Sequence, residues 1–280
     1  MITNTSILVI GATGNVGGAL LARAAGDNLR ALLRRETALP DGVRGVRGDL
    51  TDPESLDEAL AGVDRVFLVW PLGDPAGADA VVARLAASAR RVVYLSSHGA
   101  SEAPEVDPIT RMHGTLERLV RDSGVEWTFL RSGGMATNTL GWADQIRTSR
   151  AVRWPYGAAG RSLVHEADLA AVAHAALTTD SLVGQAPHLT GPETLTQADQ
   201  VETIGAALGE HVRWEELSRE EALAQLTGWG WPAESADGAL DAWERMVTQP
   251  EVVSPDVQRI LGRPALSFAQ WVRDHLDAFR

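Results

Sequence analysis

From Ser6 to about Thr128, short β-branched and aliphatic runs alternate with longer stretches rich in alanine and leucine. Ile7-Leu8-Val9-Ile10, Leu29 to Leu33, Val43 to Val46, Val63 to Val69, Val92 to Leu95 and Trp127 to Leu130 read as strands. Strands apolar at nearly every position are covered on both faces, and helices between them imply parallel pairing. The predicted fold class is α/β: a Rossmann-type doubly wound parallel sheet with a smaller, mainly helical C-terminal substrate lobe. Thr51-Asp52-Pro53-Glu54 carries a helix-start signal, with a capping threonine, a proline in the first turn and an acid three positions on. A further helix, around His113 to Arg121, precedes the sixth strand.

After Gly133 strands become sparse and tryptophan frequent, at Trp142, Trp154, Trp214, Trp229, Trp231, Trp243 and Trp271. Helical spacing predicts helices over 137–149, 166–178, 196–208, 218–227, 234–248 and 267–279, the last with Phe268, Trp271, Val272, Leu276 and Phe279 on one stripe. Trp229 to Pro232 and Pro250 to Pro264 read as loops. Residues 1–133 and about 160–191 are assigned to the nucleotide-binding core, and about 134–159 and 192–280 to the smaller lobe.

With 280 residues the chain can bury a sizeable core, and 45% hydrophobic against 22% charged residues excludes the composition of disorder. The absence of cysteine removes disulfides, thiolate metal sites and cysteine nucleophiles. The polar start Met1 to Ser6 carries no export signal and no apolar run has membrane-spanning length, so a soluble, cytoplasmic protein is expected. A net charge of −12 opposes nucleic-acid binding; the cluster Arg34, Arg35, Arg44 and Arg47 is sized for one phosphate. Histidines and carboxylates do not fall at metal-ligand spacings, so no metal is implied. The expected partner is a small molecule; a homodimer is compatible with the chain, whose oligomeric state is not written in it.

Gly11-x-x-Gly14-x-x-Gly17 directly follows the first strand and opens the helix-prone run Ala19-Leu20-Leu21-Ala22. In that setting the glycines make a tight turn, let the backbone approach a diphosphate and pack helix on strand, with the helix N-terminus facing the phosphates. Thr13 and Asn15 add side-chain donors, and Val16 completes the turn. At the end of the second strand an acid would select NAD and a base the 2′-phosphate of NADP. Here Leu33-Arg34-Arg35 ends the strand, which points to NADP(H) over NAD(H), with solvated surface charge as the alternative and Glu36 close by. Asp49 and Leu50, after the third strand, are placed for the adenine edge; Val69 and Pro71, after the fourth, for the wall of the cleft.

The glycine loop, Arg34, Gly48-Asp49-Leu50, Tyr94-Leu95-Ser96-Ser97, and His113-Gly114-Thr115-Leu116-Glu117 leading to Ser123-Gly124-Val125-Glu126-Trp127-Thr128-Phe129-Leu130-Arg131 together resemble the NmrA-like atypical short-chain dehydrogenase/reductases over residues 6 to 192. That family includes NADPH-dependent reductases of quinones, dyes and plant phenolic ethers, as well as NADP-binding proteins without turnover. Ordinary short-chain reductases carry a Tyr-x-x-x-Lys pair on the helix matching residues 105 to 121, where this chain has Ile109 and His113. His113 is the candidate proton donor in its place, since imidazole titrates near neutrality, with Ser97 as second contact to a carbonyl oxygen. A structural role for His113 is the alternative. Glu117, one turn on, is placed to meet His113 and raise its proton affinity, with a solvated helix charge as the equal alternative. His98 is a weaker rival, and His165 reads as a capping and lobe-contact residue. The resemblance further implies Ser96, Gly134 and Met135 at the cofactor and Asn138 facing the substrate.

Trp142, Trp154, Tyr156 and Trp229 are candidates for the wall of an aromatic pocket between lobes, with core packing as the alternative. The leading functional expectation is hydride transfer from NADPH to a small aromatic or polycyclic carbonyl or quinone. A non-catalytic NADP(H) sensor, and an epimerase- or dehydratase-like enzyme without net redox change, are the other readings.

Overall fold

The computed structural model describes residues 5–24, 28–101 and 107–280. The chain start Met1–Asn4 and the first two residues of the helix expected over 105–121 lie outside the described residues. The elements run β1 (Ser6–Ile10), α1 (Asn15–Arg23), β2 (Asn28–Leu33), β3 (Arg44–Arg47), α2 (Asp57–Leu60), β4 (Arg65–Leu68), α3 (Ala78–Ser88), β5 (Arg91–Ser97), α4 (Pro108–Asp122) and β6 (Glu126–Ser132). After these come α5 (Ala143–Ser149), β7 (Ala151–Trp154), β8 (Gly160–Arg161), α6 (Glu166–Thr178) and β9 (His188–Leu189). The remainder is β10 (Leu195–Thr196), α7 (Gln197–Leu208), β11 (Arg213–Glu216), α8 (Arg219–Gly228), α9 (Ala233–Thr248), α10 (Asp256–Leu261) and α11 (Phe268–Asp274).

Two compact units result. One gathers the chain up to Ser101 with Ile109–Ser132 and Glu166–His188; the other gathers Gly133–His165 with Leu189–Arg280. In the first, seven strands lie in the order β3-β2-β1-β4-β5-β6-β9. The pairs from β3 through to β6 are parallel. β1, β4 and nearly all of β5 are buried along their length, which is why their sequences do not alternate. Helices α2, α3 and α4 close one face around Leu8, Ile10, Val66, Leu68, Leu85, Leu116 and Phe129. On the other face α1 and α6 pack against each other, with α6 over β4, β5 and β6. This is a doubly wound α/β sheet, its strand order reversing at β1 and β4.

The helix expected from Thr51 begins differently. Thr51 gives its amide and hydroxyl to the Asp49 carboxylate, and a 3₁₀ turn over Pro53–Leu56 precedes α2. Ser55, not Thr51, bonds the freed main chain there, donating to the Asp52 carbonyl.

The second unit carries its own core of Trp142, Trp154, Ile204, Leu240, Phe268, Trp271 and Phe279. Two small sheets accompany its helices: β7 with β11, parallel, and β8 with β10, antiparallel. Capping boxes begin α7, at Thr196 and Asp199, and α8, at Ser218 and Glu221. The stretch Pro250 to Pro264, expected as a loop, contains α10, which starts just after Pro255 and ends at Gly262 in the left-handed region. Among the described residues no helix is long and apolar enough to cross a membrane.

Candidate dinucleotide site and its neighbours

The carboxyl ends of β1 and β2 form the site. Gly11 leaves β1 at φ +82°, and a Cβ there would stand 2.7 Å from the Val69 Cβ. The Gly14 amide donates to the Gly11 carbonyl at 3.0 Å, closing the turn. A Cβ on Gly17 would overlap that same carbonyl oxygen, so α1 can start close to β1 only because the position is glycine. Gly14 is the N-cap of α1 and contributes no side chain to it, so the amides of the first turn are offered by the helix itself. Thr13 and Asn15 are exposed beside the turn, while Val16 is buried under it.

Next to this loop lies a cleft of about 270 Å³ lined by Gly11, Thr13, Arg34, Arg35, Thr37, Asp49, Leu50 and Pro71, with Leu32 and Leu33 at its base. Arg34 and Arg35 are exposed, and neither forms an ion pair within 4 Å among the described residues. Arg44 instead faces Glu58 at 3.7 Å, and neither it nor Arg47 lines the cleft. The Asp49 carboxyl is held below its usual range by the Thr51 amide, then by the Thr51 hydroxyl, with Arg34 adding a smaller attraction. Leu50 supplies an apolar wall, and Val69 acts by filling the space under Gly11. Trp70 is buried, with its indole N–H on the Asp74 carbonyl. Glycine backbone, exposed guanidinium charge and apolar walls together fit the diphosphate, 2′-phosphate and adenosine of NADP(H).

A second polar constellation links β5, α4 and β6. Tyr94 and Ser96 share one face of β5; the Tyr94 hydroxyl lies 2.6 Å from His113 Nδ1, and the Ser96 hydroxyl donates to Glu117 at 2.7 Å. Arg131 donates twice to Glu117, at 3.0 and 2.6 Å, and that carboxylate holds the Arg131 guanidinium above its usual pKa range. Glu117 is therefore committed to Ser96 and Arg131, and the group facing His113 Nδ1 is a phenol rather than the expected carboxylate. Burial, and secondarily the Glu117 charge, push the Tyr94 hydroxyl far above its ordinary ionisation range.

Ser96, expected at the cofactor, turns its hydroxyl to Glu117 and is buried. Ser97 ends β5 paired with Ser132, on the strand face opposite Tyr94 and Ser96. His98 stacks on His188 with ring centres 3.6 Å apart. His165 lies against Asp274 at 3.2 Å, a contact within the second unit. No motif singles out Tyr94 or Arg131, although β5 alternation aligns Tyr94 with Ser96 and the four-residue spacing of His113 and Glu117 marks the helix face that meets them.

In the second unit Gly134 and Met135 lie on a strand-like segment bonded to Val164, and Gly134 leaves room for the Arg161 guanidinium. Asn138 is exposed on the 3₁₀ turn Ala136–Trp142. Trp142 and Trp154 are buried in the core, with ring centres 6.3 Å apart. Trp229 is 52% exposed and stacks on Trp154 at 5.8 Å; Tyr156, at φ +58°, is partly buried nearby in sequence and bonded by Arg219.

Fold and cradle define a Rossmann-type nucleotide-binding protein. The profile of the NAD(P)H-binding family matches residues 11–180. The (4-alkanoyl-5-oxo-2,5-dihydrofuran-3-yl)methyl phosphate reductase of Streptomyces griseus is 41% identical, over 98% of this chain and 99% of its own. An NAD(P)H azoreductase of Xenophilus azovorans is 33% identical, again over 98% and 99%. The triphenylmethane reductase of Citrobacter sp., solved with NADP(H), has the same fold, with a TM-score of 0.82 at 23% identity over 96% of this chain and 99% of that one. The chain belongs to the NAD(P)H-binding, NmrA-like family of atypical short-chain dehydrogenase/reductases.

Proposed function

We propose that the protein is an NADPH-dependent reductase of a small, flat, conjugated acceptor, an aromatic or polycyclic carbonyl or a quinone. The observation that carries the proposal is the exposed arginine pair just past β2, lining the same cleft as the glycine cradle. Gly11, Gly14 and Gly17 bring main chain to the diphosphate, Thr13 and Asn15 add donors, and Val16 braces the turn. Arg34 and Arg35 bind the 2′-phosphate, with Asp49, Leu50, Val69 and Pro71 shaping the adenosine end. When bound, the reduced nicotinamide supplies the hydride.

His113 polarises the acceptor oxygen. Support for a conjugated acceptor comes from the 41%-identical relative, whose named substrate has a ring carbonyl conjugated to a ring double bond. The test is a panel of quinones, aryl ketones and unsaturated lactones followed by NADPH absorbance, with NADH in parallel. Consumption of NADPH by one acceptor class, with NADH distinctly poorer, is the expected result. Tight NADPH binding without consumption across the panel points instead to a nucleotide sensor, and product formation without consumption to a non-redox enzyme.

A further inference from the structure

We propose that Tyr94 is the positioning residue for His113: its buried hydroxyl donates to Nδ1 and fixes the imidazole in the form that carries its proton on Nε2. This rests on the reading of His113 as the group that meets the acceptor oxygen. The oxygen-to-nitrogen distance is 2.6 Å, the Tyr94 ring is fully buried, and it meets His113 and Phe129 with ring centres 5.7 and 6.4 Å away.

The direction of the hydrogen bond follows from the surroundings. Were Nδ1–H to donate to the phenol oxygen, the phenolic proton would need another acceptor in a buried space, and leaving it without one is costly. Both oxygens of Glu117, the carboxylate whose field reaches Tyr94, are already taken by Ser96 and Arg131. Burial and Glu117 also keep the phenol protonated, so Tyr94 holds its proton instead of passing it on. Among the described residues, Glu117 and Arg121 on α4 and Arg131 on β6 are charged groups near the pair, and Glu117 is engaged with both arginines.

An imidazole so fixed presents an N–H donor, not a base. In carbonyl reduction, hydride and its electron pair reach carbon from NADPH, the carbonyl π bond breaks, and the oxygen that Nε2–H polarised takes its proton from solvent. This is the orienting role that a second residue plays toward a reacting imidazole, where the wrong tautomer is costly.

The test labels the histidines of the full chain with ¹⁵N and assigns His113 by its loss in His113→Asn. In the wild-type protein the neutral ring is expected as one tautomer, with Nε2 protonated and Nδ1 bare; a ring protonated at Nδ1 overturns the inference without any variant. In Tyr94→Phe the signal should move to a mixture of tautomers. With NADPH and 1,4-naphthoquinone, kcat should fall about 10-fold or more with KM little changed, part of the ~10²–10³ that one hydrogen-bond donor to a developing oxyanion supplies. An unmoved tautomer and unchanged kcat in Tyr94→Phe overturn the inference alone. Undiminished turnover in His113→Ala overturns the catalytic reading beneath it, and with it the use of the tautomer.

Discussion

The two units are built by different rules. Around the glycine loop, positions are fixed by how closely main chain can approach main chain: Gly17 is dictated by the Gly11 carbonyl and Gly11 by Val69. In the unit containing Leu189–Arg280, positions are fixed by how large side chains fill space, as Phe268, Trp271 and Phe279 do together. A backbone cradle admits one residue type and announces its ligand. A packed aromatic cluster admits many solutions and announces only that a core exists.

Trp271→Ala gives the largest effect that distinguishes the rules. Trp271 is completely buried and stacks on Phe268 at 5.5 Å, so its truncation should cost about 3–5 kcal/mol of stability. Urea unfolding measures this, and a loss under about 1 kcal/mol would mean that the cluster collapses onto the gap and carries less of the unit's stability than its burial indicates.

Gly17→Ala adds one methyl group and removes nothing. The overlap with the Gly11 carbonyl must push α1 from β1, and overpacking of this kind costs about 1–3 kcal/mol. Because the displaced groups are the proposed diphosphate contacts, calorimetry should show NADPH affinity falling by about 100-fold, equivalent to ~2.7 kcal/mol. Unaltered affinity would remove the loop from the nucleotide site.

Arg34→Asp should weaken NADPH binding by about 10- to 100-fold, the worth of a charge-assisted bond to a phosphate, while leaving NADH within about 3-fold. Equal losses for the two nucleotides would show that Arg34 contributes general charge and that the 2′-phosphate is read elsewhere, with Arg35 the next candidate.

The same division explains what could be read from the chain. The β1 and β4 runs and the Gly11 to Gly17 spacing are local statements with one structural solution, and the helices at 166–178 and 196–208 were readable from periodicity and caps. α10 was hidden because Pro250, Pro255 and Pro264 read as loop markers, yet Pro255 starts the helix and Gly262 ends it. β7 and β11 pair across about 60 residues with only four residues each, and Arg213-Trp214-Glu215-Glu216 has no strand alternation to reveal it. The Tyr94 contact with His113 needs β5 and α4 placed face to face, which neither segment's pattern specifies.

The smallest expected effect tests whether the comparison holds within the first unit, where the two ends of the strands differ. Ligand geometry collects at the carboxyl ends; at the opposite ends Arg91, fully buried, donates to Glu126, Asp180 and the carbonyls of Ala176 and Thr179. Partial burial raises the Glu126 carboxyl, but the hydrogen bonds from Arg91 and Arg90 outweigh it and leave the group below its ordinary value of 4.5. A carboxylate depressed in the folded state contributes stability that is present above the unfolded value and disappears as pH falls through the folded one. Glu126→Gln should therefore cost about 1 kcal/mol near neutral pH, at the low end because Asp180 and two carbonyls still hold Arg91. It should also flatten the decline in stability below pH 4.5, read by urea unfolding across the acid range. NADPH affinity should stay unchanged, because the network lies at the strand ends away from the cradle; a shift in affinity would mean that the sheet transmits strain along β5 and β6 and that the two ends are not independent.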